Sequence, residues 1–293
     1  QGWAAGAAGL SPVADAVHRE LLHRADGLLL LGWDPAELRD HWLPGWPAGH
    51  EAVVIDPAPP VDLPATLAEV LTGPVGPAVA GWLAEGVQGK SQWSLGDVEA
   101  HRARHDAVFV EESYGPASAV RAVQAAVDER PGVVVSLDVG AHRITASHVW
   151  RCDRPDTLLQ SNGWSSMGYG LPAAIAAAAL GHEAVAIVGD MGLQLMAGEL
   201  GTAVEVGGTV VVVVFVDATL SLIELKQRRL GHPAEAVHFG NPDLPTLAAA
   251  FGGVGEVVDD AEATQQAVLR GLERGGLTVV GVRIDPEPYR QQM

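Results

Sequence analysis

Two aspartates placed alike along the chain, Asp190 and Asp217, carry its clearest chemistry. Asp190 follows the apolar run 185–188 and Asp217 follows the apolar run 210–216. Continuous apolar runs of this length fit buried strands of a parallel sheet. Ligands of open parallel sheets collect beyond the C-terminal tips of the strands. Between the runs, residues 196–206 place Met196, Leu200, Ala203 and Val204 at helical spacing. The unit therefore reads as strand, Gly-Asp turn, helix, strand, Asp turn. A right-handed crossover returns the second strand parallel to the first and can bring both carboxylates to one edge of the sheet. Two oxygen donors beside a glycine-rich turn and a helix N-terminus suit a hard divalent cation together with a diphosphate. Strands ending in Asp also occur in doubly wound folds that hold no metal, so the pair alone leaves both readings open.

Gly189-Asp190 followed by Asp217-Ala218-Thr219 resembles the Gly-Asp-Gly to Asn-Asn motif of thiamine diphosphate (ThDP) enzymes, most nearly their acetolactate synthase branch. The resemblance implies a Mg²⁺ ion held by the side chains of Asp190 and Asp217 and by the backbone carbonyl of Thr219. Met191 stands where the motif has Gly, and Val216-Asp217 where it has Asn-Asn. An aspartate in the second place keeps an oxygen ligand and adds negative charge. Met191 narrows the backbone approach to a diphosphate, and Gly192 beside it can compensate. The segment Ser161-Asn162-Gly163-Trp164-Ser165-Ser166-Met167-Gly168-Tyr169-Gly170-Leu171-Pro172 is similar to the family's glycine-rich stretch ending in Met-Gly-Phe-Gly-Leu-Pro. By that likeness Met167 is the apolar wedge between the two rings of a bent coenzyme, and the carbonyl of Ser165 accepts from its 4'-amino group. A core-filling methionine is the alternative. Gly140-Ala141-His142 matches a Gly-Gln-His of similar enzymes, which implies a diphosphate contact from His142 with backbone amides from Gly140 and Ala141. Arg143 either assists or points to solvent. Leu220 and Ser221 open a helix whose N-terminal amides face the diphosphate. Leu220, Leu222 and Ile223 line either a substrate pocket or a helical core face.

The elements that must position these residues form an α/β chain of doubly wound parallel sheets. Its 293 residues, 48% hydrophobic with 35 glycines, suffice for two ordinary domains. A partial Rossmann-like central domain is expected over 1–85, a linker over 86–116, and the ThDP diphosphate- and Mg-binding domain over 117–293. In the first, a helix over 13–24 precedes a strand at 27–31. A turn at Gly32-Trp33-Asp34-Pro35 leads to a second strand at 52–55, and the segments 66–71 and 78–83 complete the set with only two convincing strands. The stretch containing Ala25-Asp26-Gly27 and Asp56-Pro57 resembles the second half of the family's central domain, against which FAD lies in some relatives. No full Gly-x-Gly-x-x-Gly follows a strand here, so a scaffold is the expected role and FAD binding the lesser alternative. In the linker, His101 and His105 have i,i+4 spacing, but Arg102 and Arg104 beside them repel cations, and a solvated helical face is expected. Helices are also expected at 117–129, 244–251 and 261–274, and strands at 133–137, 254–258 and 277–284. The tail 285–293 is polar and is expected to be mobile or to serve as a lid.

A net charge of −18 argues against nucleic-acid or anionic-membrane surfaces. One cysteine, Cys152, permits no internal disulfide, and no Cys/His cluster has zinc spacing. A reducing cytoplasm fits this usage. No run reaches the roughly 20 apolar residues that span a bilayer.

ThDP supplies the electron sink, and its protein supplies position and electrostatics. In the family, a glutamate beside the pyrimidine comes from a separate pyrimidine-binding domain. Glu20, Glu37, Glu69 and Glu129 lie in helices or linkers, and Glu199 lies beside the diphosphate motif, so no catalytic residue is expected in this chain. The resemblance therefore implies the diphosphate-binding subunit of a split enzyme that decarboxylates a 2-oxo acid and transfers the fragment to an acceptor. A second chain carrying the pyrimidine-binding domain would complete a heterodimer or heterotetramer. A simple 2-oxo acid decarboxylase, a C–C lyase, a non-catalytic scaffold relative and a fragment of a longer protein are the alternatives.

Overall fold

The structure, a computed structural model, describes residues 11–32, 51–57, 69–86, 93–152 and 154–293. The expected turn at 33–35, the position Glu37 and the first part of 66–71 lie outside the described residues. The chain divides into two compact units between Val108 and Phe109. No helix among the described residues is long and apolar enough to cross a membrane.

In the first unit, β1 (Gly27–Leu31), β2 (Glu51–Asp56) and β3 (Glu69–Thr72) form a parallel sheet in that order. The third strand was not legible because its four residues begin and end on polar side chains. The stretch expected as a linker is instead helical over Leu95–Ala107, started by a capping box in which Ser94 and Asp97 satisfy each other's amides. His101 and His105 are buried rather than solvated, each 1% exposed. The i,i+4 face is turned onto the helix Pro12–His23, where the His18 ring stacks on His105 at 4.9 Å between centroids and its Nδ1 lies 3.0 Å from His101 Nε2. Arg104 pairs with Glu20 at 2.5 Å, although its charge still disfavours protonation of His101.

Burial, and then the charge of neighbouring His18, lowers the His101 pKa to about 4. The folded value lies below the unfolded one, so this contribution to stability is complete above about pH 6.5 and is lost as pH falls toward 4. Denaturant unfolding followed between pH 7 and 4 is expected to show that loss, and His101→Gln to flatten it.

The second unit is a six-stranded, wholly parallel sheet in the order β5 (Leu158–Gln160), β4 (Val134–Leu137), β6 (Ala184–Gly189), β7 (Val210–Val216), β9 (Leu277–Arg283) and β8 (Val254–Val258). The central strands are apolar throughout because helices cover both faces. Ala186, Val188, Val212 and Val214 pack with Leu171, Ala174, Leu200 and Ala203 on one face. The alternating residues point the other way. There Val211 meets the helix Ala261–Arg274, so closely that a Cβ on Gly271 would lie 2.9 Å from its Cγ2.

Two features of this sheet place the site. After β4 the chain moves to one side for β5 and then to the other for β6, so the strand order reverses between β4 and β6, and a crevice opens beyond their C-terminal tips. The register pairs Leu137 with Ile187 and Gly189 with Phe215. The ends of β6 and β7 are therefore level to within one residue, while β4 ends two residues short of β6, and the segments that follow all three emerge at the same edge of the sheet.

Candidate functional site

Those segments are 138–142, 190–192 and 217–221. Gly140 leads into the helix Ala141–Val149, which carries His142 at its second position. This imidazole is 4% exposed, lies 5.9 Å from the Phe215 ring between centroids, and has no hydrogen-bond partner at Nε2. Gly189 gives the ring room, since a Cβ there would lie 3.3 Å from its Cε1. Burial, followed by the Arg143 charge, lowers the His142 pKa to about 4. A neutral imidazole with a bare, buried nitrogen is a group built for a partner from outside the chain. Arg143 does not point to solvent. It is buried and donates from Nη1 to the carbonyl of Ser161 at 2.8 Å, with Nη2 3.5 Å from Ser165 Oγ.

The two aspartates are brought together. Asp190 Oδ2 accepts from the amides of Asp217 (3.2 Å) and Ala218 (2.8 Å) and from Asn241 Nδ2 (2.8 Å), and Oδ1 accepts from the amide of Met191 at 2.9 Å. Asp217 accepts from the Thr219 amide at 3.0 Å and from Ser221 Oγ at 2.6 Å. Ala218 between them adopts a left-handed φ of 56°, a conformation that costs a non-glycine residue about 1–2 kcal/mol and turns the chain sharply after β7. The pKa of Asp217 is raised to about 6, first by burial and also by the charge of Asp190, against the lowering hydrogen bond from Ser221. A buried carboxylate whose proton affinity is raised in part by a second carboxylate beside it is an arrangement a divalent cation relieves.

The loop bearing Met167 is bent at two positions. Ser165 has φ 48° and Gly168 φ 86°. A Cβ on Gly168 would also lie 2.7 Å from Met196 Cγ. Gly168→Ala is expected to cost about 1–2 kcal/mol and to displace Met167, read as a lower melting temperature together with weaker ligand binding.

A cleft of about 580 Å³ gathers these residues. Gly140, Ala141, His142, Met167, Gly189, Asp190, Met191, Gly192, Asp217, Thr219, Leu220, Ser221, Leu222 and Ile223 all line it, and Ser165 does not. Ser165 instead holds the loop through its contacts with Arg143 and Ser161. No glutamate is among the described lining residues.

Three lining residues were missed by sequence reasoning: Val139, Phe215 and Tyr289. Tyr289 corrects the reading of the tail, which forms a helix, Glu287–Gln292, with Pro288, Tyr289 and Gln292 buried. The pKa of its phenol is raised well above the ordinary tyrosine value by burial and then by the negative charge of Asp217, Glu111 and Asp190. Proline beside the helix start was the available signal. Asn241, which donates to Asp190 Oδ2, stands in the segment leading into the helix Leu244–Ala250, and its contact with Asp190 is made only by tertiary packing.

Residues 138–282 match the family model described as thiamine pyrophosphate enzyme, C-terminal TPP binding domain. The acetolactate synthase of Bacillus subtilis (strain 168) is 33% identical over 172 residues, 58% of this chain and 30% of that protein. The acetolactate synthase isozyme 1 large subunit of Escherichia coli (strain K12) is 32% identical over 174 residues, covering 57% and 30%. The mitochondrial acetolactate synthase catalytic subunit of Saccharomyces cerevisiae is 27% identical over 207 residues, covering 68% and 30%. The match thus spans about 30% of the length of each of these relatives.

Proposed function

Because residues 138–282 match the model of the C-terminal TPP binding domain of thiamine pyrophosphate enzymes, we propose that this chain holds the diphosphate of ThDP through a Mg²⁺ ion for the decarboxylation of a 2-oxo acid. The observation that carries this reading is the convergence of Asp190 and Asp217 at level strand tips beside the unpartnered nitrogen of His142.

The residues fit the group. Mg²⁺ takes one or two carboxylates together with phosphate oxygens, and the donor set here is all oxygen: Asp190, Asp217 and the carbonyl of Thr219. The amides of Gly140, Ala141, Gly192 and Ser221 belong to residues that line the same cleft and suit an anion, with His142 Nε2 as a further contact; the Leu220 amide, expected among them, instead donates to the carbonyl of Val237 at 2.8 Å. Met191 does not close the turn, because its amide is engaged by Asp190 and its side chain lines the cleft. When bound, ThDP supplies a nucleophilic carbon and an electron sink. The chain would anchor the diphosphate and offer Met167 as an apolar support for the rings, with Leu220, Leu222, Ile223 and Tyr289 supplying further apolar lining of the same cleft.

A further part of this proposal is that the group that activates the pyrimidine is supplied by a partner carrying a separate pyrimidine-binding domain. Transfer of the fragment to an acceptor, as in acetolactate synthesis, is the proposed outcome. Mixing the chain with that partner, ThDP, Mg²⁺ and pyruvate is expected to release CO₂ in a metal-dependent way and to form a carboligated product. Release of free aldehyde alone would point to simple decarboxylation, and no turnover with any 2-oxo acid would refute the reading.

His142→Leu tests the diphosphate contact. It is expected to leave the metal-free melting temperature unchanged or slightly raised, because a buried unpartnered nitrogen is removed. ThDP affinity is expected to fall about 10- to 100-fold, as for other losses of one charge-assisted hydrogen bond.

A further inference from the structure

Asp138 lies at the end of β4 and does not line the cleft, yet it is in contact with two of the segments that form it. Its side chain is fully buried. Oδ1 accepts from the amide of Gly170 at 3.1 Å, the first residue of the helix Gly170–Ala179 that follows the Met167 loop. Oδ2 has no hydrogen-bond partner and faces the backbone of Gly192: a Cβ at that position would sit 2.2 Å from this oxygen. A Cβ on Gly170 would in turn sit 2.9 Å from the Asp138 Cβ and backbone nitrogen. One carboxylate is thus wedged between two stretches of backbone that approach it only because they carry glycine.

We propose that Asp138 is a positioning residue, a strut that fixes the separation between Met167 and the turn Asp190–Gly192. The role rests on the coenzyme reading above, in which Met167 supports the rings and Asp190 anchors the diphosphate, so the strut sets the distance between the two ends of one ligand. It also accounts for the order Gly189-Asp190-Met191-Gly192. Residue 191 has the cleft to enter, whereas residue 192 has its Cβ space filled by an oxygen. A hydrogen-bonding role alone would explain the contact with Gly170. It would not explain why the second oxygen stands without a hydrogen bond against Gly192.

Two measurements test the strut. The first compares Mg²⁺-pyrophosphate, which touches only the Asp190 side, with Mg²⁺-ThDP, which also reaches Met167, by calorimetry on the full chain. Asp138→Ala is expected to weaken Mg²⁺-ThDP by about tenfold or more, the scale of a misplaced contact, and to leave Mg²⁺-pyrophosphate nearly unchanged. Asp138→Asn, which fills the same space, is expected to recover most of the loss. Equal weakening of both ligands, or of neither, overturns the positioning role. The second is a melting-temperature cycle without ligand. Gly192→Ala is expected to lower the melting temperature in the wild-type background and to have little effect in the Asp138→Ala background, where its methyl finds room. Additive effects overturn the strut. A wild-type chain that binds neither ligand would remove the coenzyme reading and the positioning role with it, while the cycle still reports on the wedge itself.

Discussion

Replacing Asp190 by alanine is expected to abolish Mg²⁺-dependent ThDP binding and to lower the melting temperature of the metal-free protein in the same variant. The two losses have different origins. The first follows from the all-oxygen donor set, which loses the carboxylate nearest the Gly-Asp turn. The second follows from the donors that Asp190 serves: the amides of Met191, Asp217 and Ala218 and the side chain of Asn241. Each buried donor left unpaired costs about 1–3 kcal/mol. Water will reach some of them through the cleft, so a net loss of about 3 kcal/mol is the expected scale, or on the order of 10 °C for a unit of this size. In metal-free melting temperature Asp190→Asn is expected to fall between wild type and Asp190→Ala, because its amide keeps one acceptor and turns an NH₂ toward the other donors, while its Mg²⁺-dependent ThDP binding is lost as in Asp190→Ala. Thermal melts with and without Mg²⁺ read both effects.

Asp217→Asn is expected to do the opposite to the metal-free protein. The folded pKa of Asp217, about 6, exceeds the ordinary aspartate value of 3.8. The folded state therefore holds the proton that the unfolded state releases between those values. Stability from this group is complete below about pH 4 and is lost as pH rises through 6, so near pH 7.5 the ionised side chain is a burden of about 1–3 kcal/mol. Asparagine keeps an acceptor for the Thr219 amide or Ser221 and carries no charge. The variant is expected to melt higher than wild type without Mg²⁺ and to gain less than wild type from saturating Mg²⁺ and ThDP, because its neutral amide oxygen, the donor type the resembling motif has at this place, still reaches the metal but without the carboxylate's charge. In wild type the metal affinity should also fall as pH drops through about 6, since the proton competes for the same oxygens. A variant that melts lower than wild type under both conditions would contradict the account of Asp217.

Much of this site was legible because its scaffold is the plainest kind of pattern. The runs 185–188 and 210–216 are apolar at every position, as strands covered on both faces must be, and the acidic residue that ends each run stands out against them. Where packing contradicts local pattern, the sequence was silent or misleading. The helix Ala141–Val149 contains His142, Arg143, Thr145 and His148, all buried, so no polar face marked it. β5 has three residues and lies at the edge of its sheet. The His101 and His105 face looked solvated because charged neighbours surround it in sequence, whereas in space those neighbours turn aside. Ser165 reached its loop but not the cleft, since a carbonyl's direction depends on a backbone conformation, φ 48°, that residue type does not announce. Tyr289 arrives from the far end of the chain, and only tertiary packing relates it to Asp190.

The claim on which the rest depends is that Asp190 and Asp217 jointly hold a divalent cation that anchors a diphosphate. Titration calorimetry of ThDP into the protein, with Mg²⁺ present and then removed by chelation, tests it most directly. The account expects binding with Mg²⁺ that disappears on chelation, returns when the metal is restored, and is absent from Asp190→Asn under both conditions. ThDP binding of equal affinity with and without the metal, or undiminished in Asp190→Asn, would contradict it.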